Sequence, residues 1–339
     1  MNSSVKKLTE AAILSSAFIV LTMIALTTGL GYGIYLDFGV PIIFALIYFR
    51  CDLKYTLLSG ITSTIIIIFV LGDFATGILV SQSFLLGILC GYLLSKPNVI
   101  FDDLFLGSIL GLIFMVLIDI YARNLIGYSF MEEFQGYIDY IMSKPKELSL
   151  ILPYMENINF SIIYYLLIAI FPFGMFFSVY FISLICGKRL KLLNKIEKRK
   201  YFMMRSLKTY GSFMSIKKKS FYLALLYIVI ISIFNLANIE FHNVYLKTIS
   251  ICTEYLCYYF VIRDVYLIIG NYINAKFRKR SVSLLYLILS ILLLVNIFKI
   301  TVLIYVIISI ILDKKFNLRL KQKYIVDVNT NKLLENYKI

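Results

Sequence analysis

One histidine, five cysteines, five prolines and nineteen acidic residues are spread over 339 positions. Each scarcity removes a class of function. The lone His242 falls in a short stretch between two apolar runs, where a solvated histidine is the default reading and a catalytic one is disfavoured. No Cys-x-x-Cys pair occurs among Cys51, Cys90, Cys186, Cys252 and Cys257, and most lie within or beside apolar runs. That pattern predicts reduced thiols packed as small hydrophobes, without a disulfide framework or a metal site. GxxxxGK[ST], HExxH, GxSxG and the dinucleotide glycine fingerprint are all missing. The expectation is a protein that is not an enzyme, with no catalytic residue and no cofactor. Any ATP-driven step would need an ATPase on another chain.

Charge is scarce as well. Charged residues make up 16% and hydrophobic ones 60%, against roughly 25% and 45–50% in a soluble domain. The mean hydropathy is +0.86. Apolar residues come in long unbroken runs without period-two alternation, which excludes a membrane barrel. The remaining fold class is all-α, a polytopic membrane helix bundle.

What the chain has in excess is positive charge, and it is concentrated. Residues 187–220 carry twelve cations against one acid, Glu197, and so supply eleven of the net fifteen positive charges. Basic loops beside membrane spans mark the cytoplasmic side. Lys198, Arg199, Lys200, Lys217, Lys218 and Lys219 are therefore assigned to a surface facing an anionic inner leaflet, with a cytoplasmic partner second. Confinement of the basic excess to such loops disfavours nucleic acid as a partner.

Spans are counted outward from this belt. Six fall before it, at about 8–30, 38–49, 55–71, 75–94, 104–121 and 160–186. The second is short and opens with Pro41, which leaves room for a bent or re-entrant segment. The sixth is expected to bend near Pro172. Two more follow at about 221–236 and 245–269. The final run, 282–312, would make one helix of about 46 Å against a hydrocarbon core of roughly 30 Å. Two short spans meeting at 296–299 resolve this, for about ten spans with both termini cytoplasmic. On that count 28 of the 34 cations lie inside and five outside, with Arg263 in the eighth span. The organisation is then a membrane half over 1–186, a basic linker over 187–220, a second membrane half over 221–312 and a basic tail over 313–339.

Asp37, Asp73 and Asp119 fall at outer ends of spans, with Arg123, Tyr32 and Tyr35 at similar depth. Together they form a candidate rim for an outward pocket taking a small polar or cationic ligand, although span-end acids also sit in the wet headgroup zone. Arg263 and Asp264 are expected to snorkel at the inner end of the eighth span. Within 124–157, Phe130, Phe134, Tyr137, Ile138 and Ile141 follow helical spacing, which predicts an interfacial amphipathic helix or a pocket cap. Pro145 and Pro153 bound a second, shorter one. Gly87/Gly91 and Gly107/Gly111 predict close helix packing within the bundle. Ala11, Ala12, Ser15 and Ser16 form a small-residue stripe on the first span that could dock a partner.

Several stretches, taken in order, are similar to those of a known family. They are Leu8-Thr9-Glu10-Ala11-Ala12, Pro41-Ile42 followed by Tyr48-Phe49-Arg50, Gly87-x-x-x-Gly91-Tyr92, and Leu312-Asp313 with Arg319. The chain resembles the YybS-like bacterial membrane proteins, a family classed as a domain of unknown function. Its first six spans are distantly similar to the substrate-binding S components of energy-coupling factor transporters. Those proteins dock a transmembrane coupling subunit through an Ala-x-x-x-Ala stripe, and here serine replaces the second alanine. The resemblance implies a multi-pass protein of the bacterial cell membrane that binds a small molecule, with coupling and ATPase subunits as partners. The alternative is a non-transporting scaffold or regulator that recruits cytoplasmic partners through its basic loop.

Overall fold

In the computed structural model, the described residues are 3–29, 32–127, 129–143, 160–238, 241 and 243–336. Every regular element among them is helical. Helix α1 spans Ser3–Thr28, and a short α2 (Tyr32–Ile34) runs through a π-turn at Tyr35–Gly39 into α3 (Val40–Leu71). Next come α4 (Phe74–Ser95), α5 (Ile100–Ile126), α6 (Phe130–Ser143) and α7 (Phe160–Arg189). The basic linker forms α8 (Lys195–Arg205) and α9 (Leu207–Tyr210). Helices α10 (Lys218–Leu236), α11 (Val244–Phe277), α12 (Arg280–Asn296), α13 (Phe298–Phe316) and α14 (Leu318–Asn336) complete the chain. Among the described residues, seven helical segments are long and apolar enough to cross a membrane, which makes this a multi-pass helical membrane protein.

Two spans expected from the sequence meet inside α3. Asp52 sits there at φ 66° and ψ 170°, outside the helical region. Phe84 of α4 packs on Phe44, eight residues before Asp52, and also closes on Gly60, eight residues after it. The two halves of α3 therefore fold back on each other at Asp52. Arg50 beside the bend forms a bidentate pair with Glu10 at 2.8 and 2.9 Å, and Lys7 pairs with Asp52. The start of α1 and the bend thus lie together.

The first half of α3 is not a short stub. The π-turn carries the helix back to Tyr32, so 32–51 forms about 30 Å of nearly continuous helix. Pro41 offers no N–H to the Asp37 carbonyl, and the Val40 amide bonds to the Tyr35 carbonyl instead, one residue further back than in an α-helix.

The paired glycines pack internally. A Cβ on Gly87 would lie 2.4 Å from the Pro41 carbonyl oxygen, and one on Gly107 would lie 2.2 Å from the Phe176 ring. Phe105, Phe176, Tyr180 and Phe260 make one core shared by α5, α7 and α11, so the two membrane halves are packed together. Large apolar side chains such as Ile13, Val20, Ile24, Leu285 and Val295 point outward, as a lipid-facing surface requires.

Candidate functional site

The N-terminal parts of α4 and α7, the C-terminal part of α5, the π-turn and α6 line a cavity of about 640 Å³ at one end of the bundle. This lies within the usual range for small-molecule pockets, roughly 300–1,000 Å³. Its wall is apolar and partly aromatic, with Ile78, Leu79, Met115, Phe130, Phe134 and Phe171 prominent. Among the described residues, three polar side chains reach it: Asp37, Gln82 and Asp119. Leu79, Leu167 and Phe171 along its margin are about half exposed, at 46, 48 and 52%.

Of the residues expected to rim a pocket, the structure brings two together. Asp37 and Asp119 line the same cavity from different helices. Asp119 is already committed: its carboxylate accepts from the Ser129 hydroxyl at 2.6 Å and from the Phe130 and Met131 amides at 2.8 and 3.4 Å. It satisfies the free N–H groups at the start of α6 and holds that helix over the cavity. Asp37 has no such commitment. Among the described residues no hydrogen-bond donor or cation pairs with it.

The other expected rim residues lie elsewhere. Asp73 caps α4, accepting from the Ala75 and Thr76 amides at 2.9 and 3.1 Å and from the Thr76 hydroxyl. Those bonds hold its carboxyl below the ordinary aspartate range. Arg123 pairs with Glu132 at 2.9 Å, outside the cavity wall. Tyr35 turns towards α1, with its hydroxyl 3.0 Å from that of Thr22. The Tyr32 side chain is outside the described set.

Helix α6 matches the amphipathic reading over 130–143, and it caps the cavity. Phe134 stacks on Tyr164 at 5.4 Å, and the Tyr164 hydroxyl donates to the Met131 carbonyl at 3.3 Å. Fully buried Met131, a contact the helical-face argument missed, is the deepest anchor of this cap. The Ile138 and Ile141 side chains and the stretch bounded by Pro145 and Pro153 lie outside the described residues.

At the opposite end of the bundle the basic linker is not a uniform surface. Lys200, expected on a lipid or partner face, is 1% exposed. Its ammonium meets the Asp103 carboxylate at 2.5 Å and the Leu93 carbonyl at 2.6 Å, while the Tyr180 hydroxyl donates to Asp103 at 2.8 Å. Burial pushes the Lys200 pKa below the ordinary lysine value, and the Asp103 charge opposes that shift. The physical reason for the correction is helical periodicity. Glu197, Lys200 and Met203 share one face of α8, and Glu197, bonded to Ser95 at 2.8 Å, turns that face onto α4.

Other cations of the belt are also engaged. Arg199 pairs with Asp327 of α14 at 2.6 Å, Lys218 with Asp313 at 2.9 Å, and the Lys217 ammonium bonds the Asn98 amide oxygen at 2.7 Å. Lys198 and Lys219 remain exposed. Arg263 does not snorkel: its guanidinium stacks 3.2 Å from the Phe101 ring centre and donates to the Met214 carbonyl. Asp264 holds Arg319 at 2.5 Å and accepts from the Ile216 amide at 2.8 Å. The linker and tail, read as separate segments, therefore close this end of the bundle as one layer.

The small-residue stripe of α1 is divided. Ala11 and Ser15 are buried against α3, whereas Ala12 and Ser16 face outward. No family profile, curated protein or solved structure matches the chain.

Proposed function

We propose that this chain is the small-molecule-binding subunit of a membrane transport assembly, as its resemblance to the YybS-like proteins and S components implies. The observation that carries the reading is the apolar cavity at the outer ends of α4, α5 and α7, capped by α6 and reached by two carboxylates. Filled bundles leave no such space. The outward pair Ala12 and Ser16 on α1 is the face available to a coupling subunit, and ATP hydrolysis belongs to a further partner.

The same reading assigns ten crossings in the bacterial cell membrane with both termini cytoplasmic. Folding of α3 at Asp52 supports two crossings where one apolar helix could be counted. Tyr286 of α12 lies beside Tyr305 of α13, as an antiparallel hairpin requires. Purification of the tagged chain from native membranes in mild detergent tests the assembly. Co-purifying coupling and ATPase subunits are expected, and their absence together with an empty, ligand-indifferent protein removes the reading.

A scaffold or regulatory role draws its support from the exposed Lys198 and Lys219 of the basic belt. Neutralising both separates the two. A scaffold loses its cytoplasmic partner, whereas the outer cavity keeps its affinity.

A further inference from the structure

The cavity contains one carboxyl group with no partner among the described residues. Asp37 projects from the π-turn into a wall that is otherwise mostly hydrocarbon, and among the described residues its only uncommitted polar companion there is Gln82. Asp119 is taken up by α6, and Arg123, the nearest cation along the sequence of α5, is taken up by Glu132. Asp37 is half-buried, and a carboxylate against mostly apolar lining is stabilised when a counter-charge reaches it. Every cation the described residues place in an ion pair is paired with an acid other than Asp37. No described cation is paired with Asp37, which leaves its carboxyl open to the charge of a ligand.

The π-turn adds a second observation. Such turns are rare and recur at functional sites, because they re-aim one side chain without ending the helix. Here the turn is enforced by Pro41 and spans Tyr35–Gly39, with Asp37 at its centre. The adjoining Gly39 lies under the Tyr35 ring, where a Cβ would come within 2.9 Å, so the turn is tightly packed on its other side.

Resting on the small-molecule reading above, we infer that the outer cavity takes an amphiphilic cation. Its apolar body lies among Ile78, Met115, Phe134 and Phe171, and its protonated amine or amidinium sits on Asp37 with Gln82 as a second hydrogen-bond partner. The apolar wall supplies affinity through buried area, and the carboxylate selects the head group. An ammonium group of this kind could arrive as a free amine or as the head of an aminolipid, and the chemistry at Asp37 is the same for both.

The test uses the full chain in nanodiscs of pure phosphatidylglycerol, which contains no amine. Unfolding is followed with a thiol-reactive dye, because Cys51, Cys90, Cys252 and Cys257 are buried and become reactive on unfolding. Three probes share one apolar body: 4-phenylbutylamine, 4-phenylbutanol and 5-phenylpentanoate. The amine is expected to stabilise the protein at the lowest concentration. In Asp37→Asn its affinity falls roughly ten- to a hundredfold, the scale of one charge-assisted contact, while the alcohol binds unchanged. Asp37→Glu restores part of the amine preference, and Asp73→Asn, altered outside the cavity, leaves it intact. Loss of amine binding when phosphatidylethanolamine is added would identify the lipid head group as the source, with the ammonium recognition upheld. Equal binding of amine and alcohol, or an amine preference that survives Asp37→Asn, overturns the inference and leaves the small-molecule reading standing. If no probe binds and filling the cavity by Ala122→Phe changes nothing in cells, both fall.

Discussion

Lys200 shows how far a single position can depart from its segment. It is one of twelve cations in a stretch that reads as a cytoplasmic surface, yet it is enclosed with Asp103 and Tyr180. A buried pair of this kind costs desolvation on both sides and adds little net stability, but removing one partner strands the other. Lys200→Met is therefore expected to destabilise the protein by about 3–5 kcal/mol. Adding Asp103→Leu should recover much of that loss. Thermal unfolding of the two variants in detergent checks both statements, and an additive double variant would refute the coupling. Lys219, exposed in the same segment, is the matched control.

At the scale of the element, caps and bends explain what hydropathy alone does not. Asp73 ends the turn after α3, where Gly72 adopts φ 66°, and then caps α4. Its carboxyl titrates below the ordinary value because its bonds favour the charged form. A group depressed in this way stabilises the fold above its unfolded pKa, near 3.9, and that contribution is lost as pH falls through the folded value. The stability gap between the native chain and Asp73→Asn should therefore be steady from about pH 5 upward and shrink below about pH 4. A gap that stays constant down to pH 3 would show that the cap carries no charge-dependent part. Helix α6 makes the same point structurally. The 3.6-residue spacing of Phe130, Phe134 and Tyr137 was legible, but Asp119 as its anchor was not, since the two lie in separate segments brought together by packing.

For the whole molecule, sidedness is the property on which the pocket and the partner face both depend. Glu10 meets Arg50, Ser95 meets Glu197, and Arg199 meets Asp327, so the start of α1, the bend in α3, the end of α4, the basic linker and α14 are linked by contacts on shared or neighbouring elements. Asp119, Ser129 and Tyr245 cluster at the other end of the bundle. With an impermeant maleimide on a variant lacking accessible native thiols, Lys219→Cys should be labelled only in inverted vesicles. Lys299→Cys, at the tip of the α12–α13 hairpin, should be labelled from the outside. Labelling of Lys299→Cys from the inside alone would make that hairpin re-entrant, with eight crossings and the same placement of the termini.

Composition by itself determined the solvent, the helical class and the segment that has to stay in water, because these follow from the transfer cost of side chains taken one at a time. It also made the pocket acids candidates, without choosing among them. Only tertiary structure decided that Asp73 is a cap, that Asp119 is an anchor and that Asp37 faces a cavity without a partner among the described residues. Likewise it placed Lys200 inside and Lys219 outside, although both are lysines in one basic stretch. The reason is that a charge's role depends on which distant groups the fold brings within bonding reach, and no local pattern encodes that.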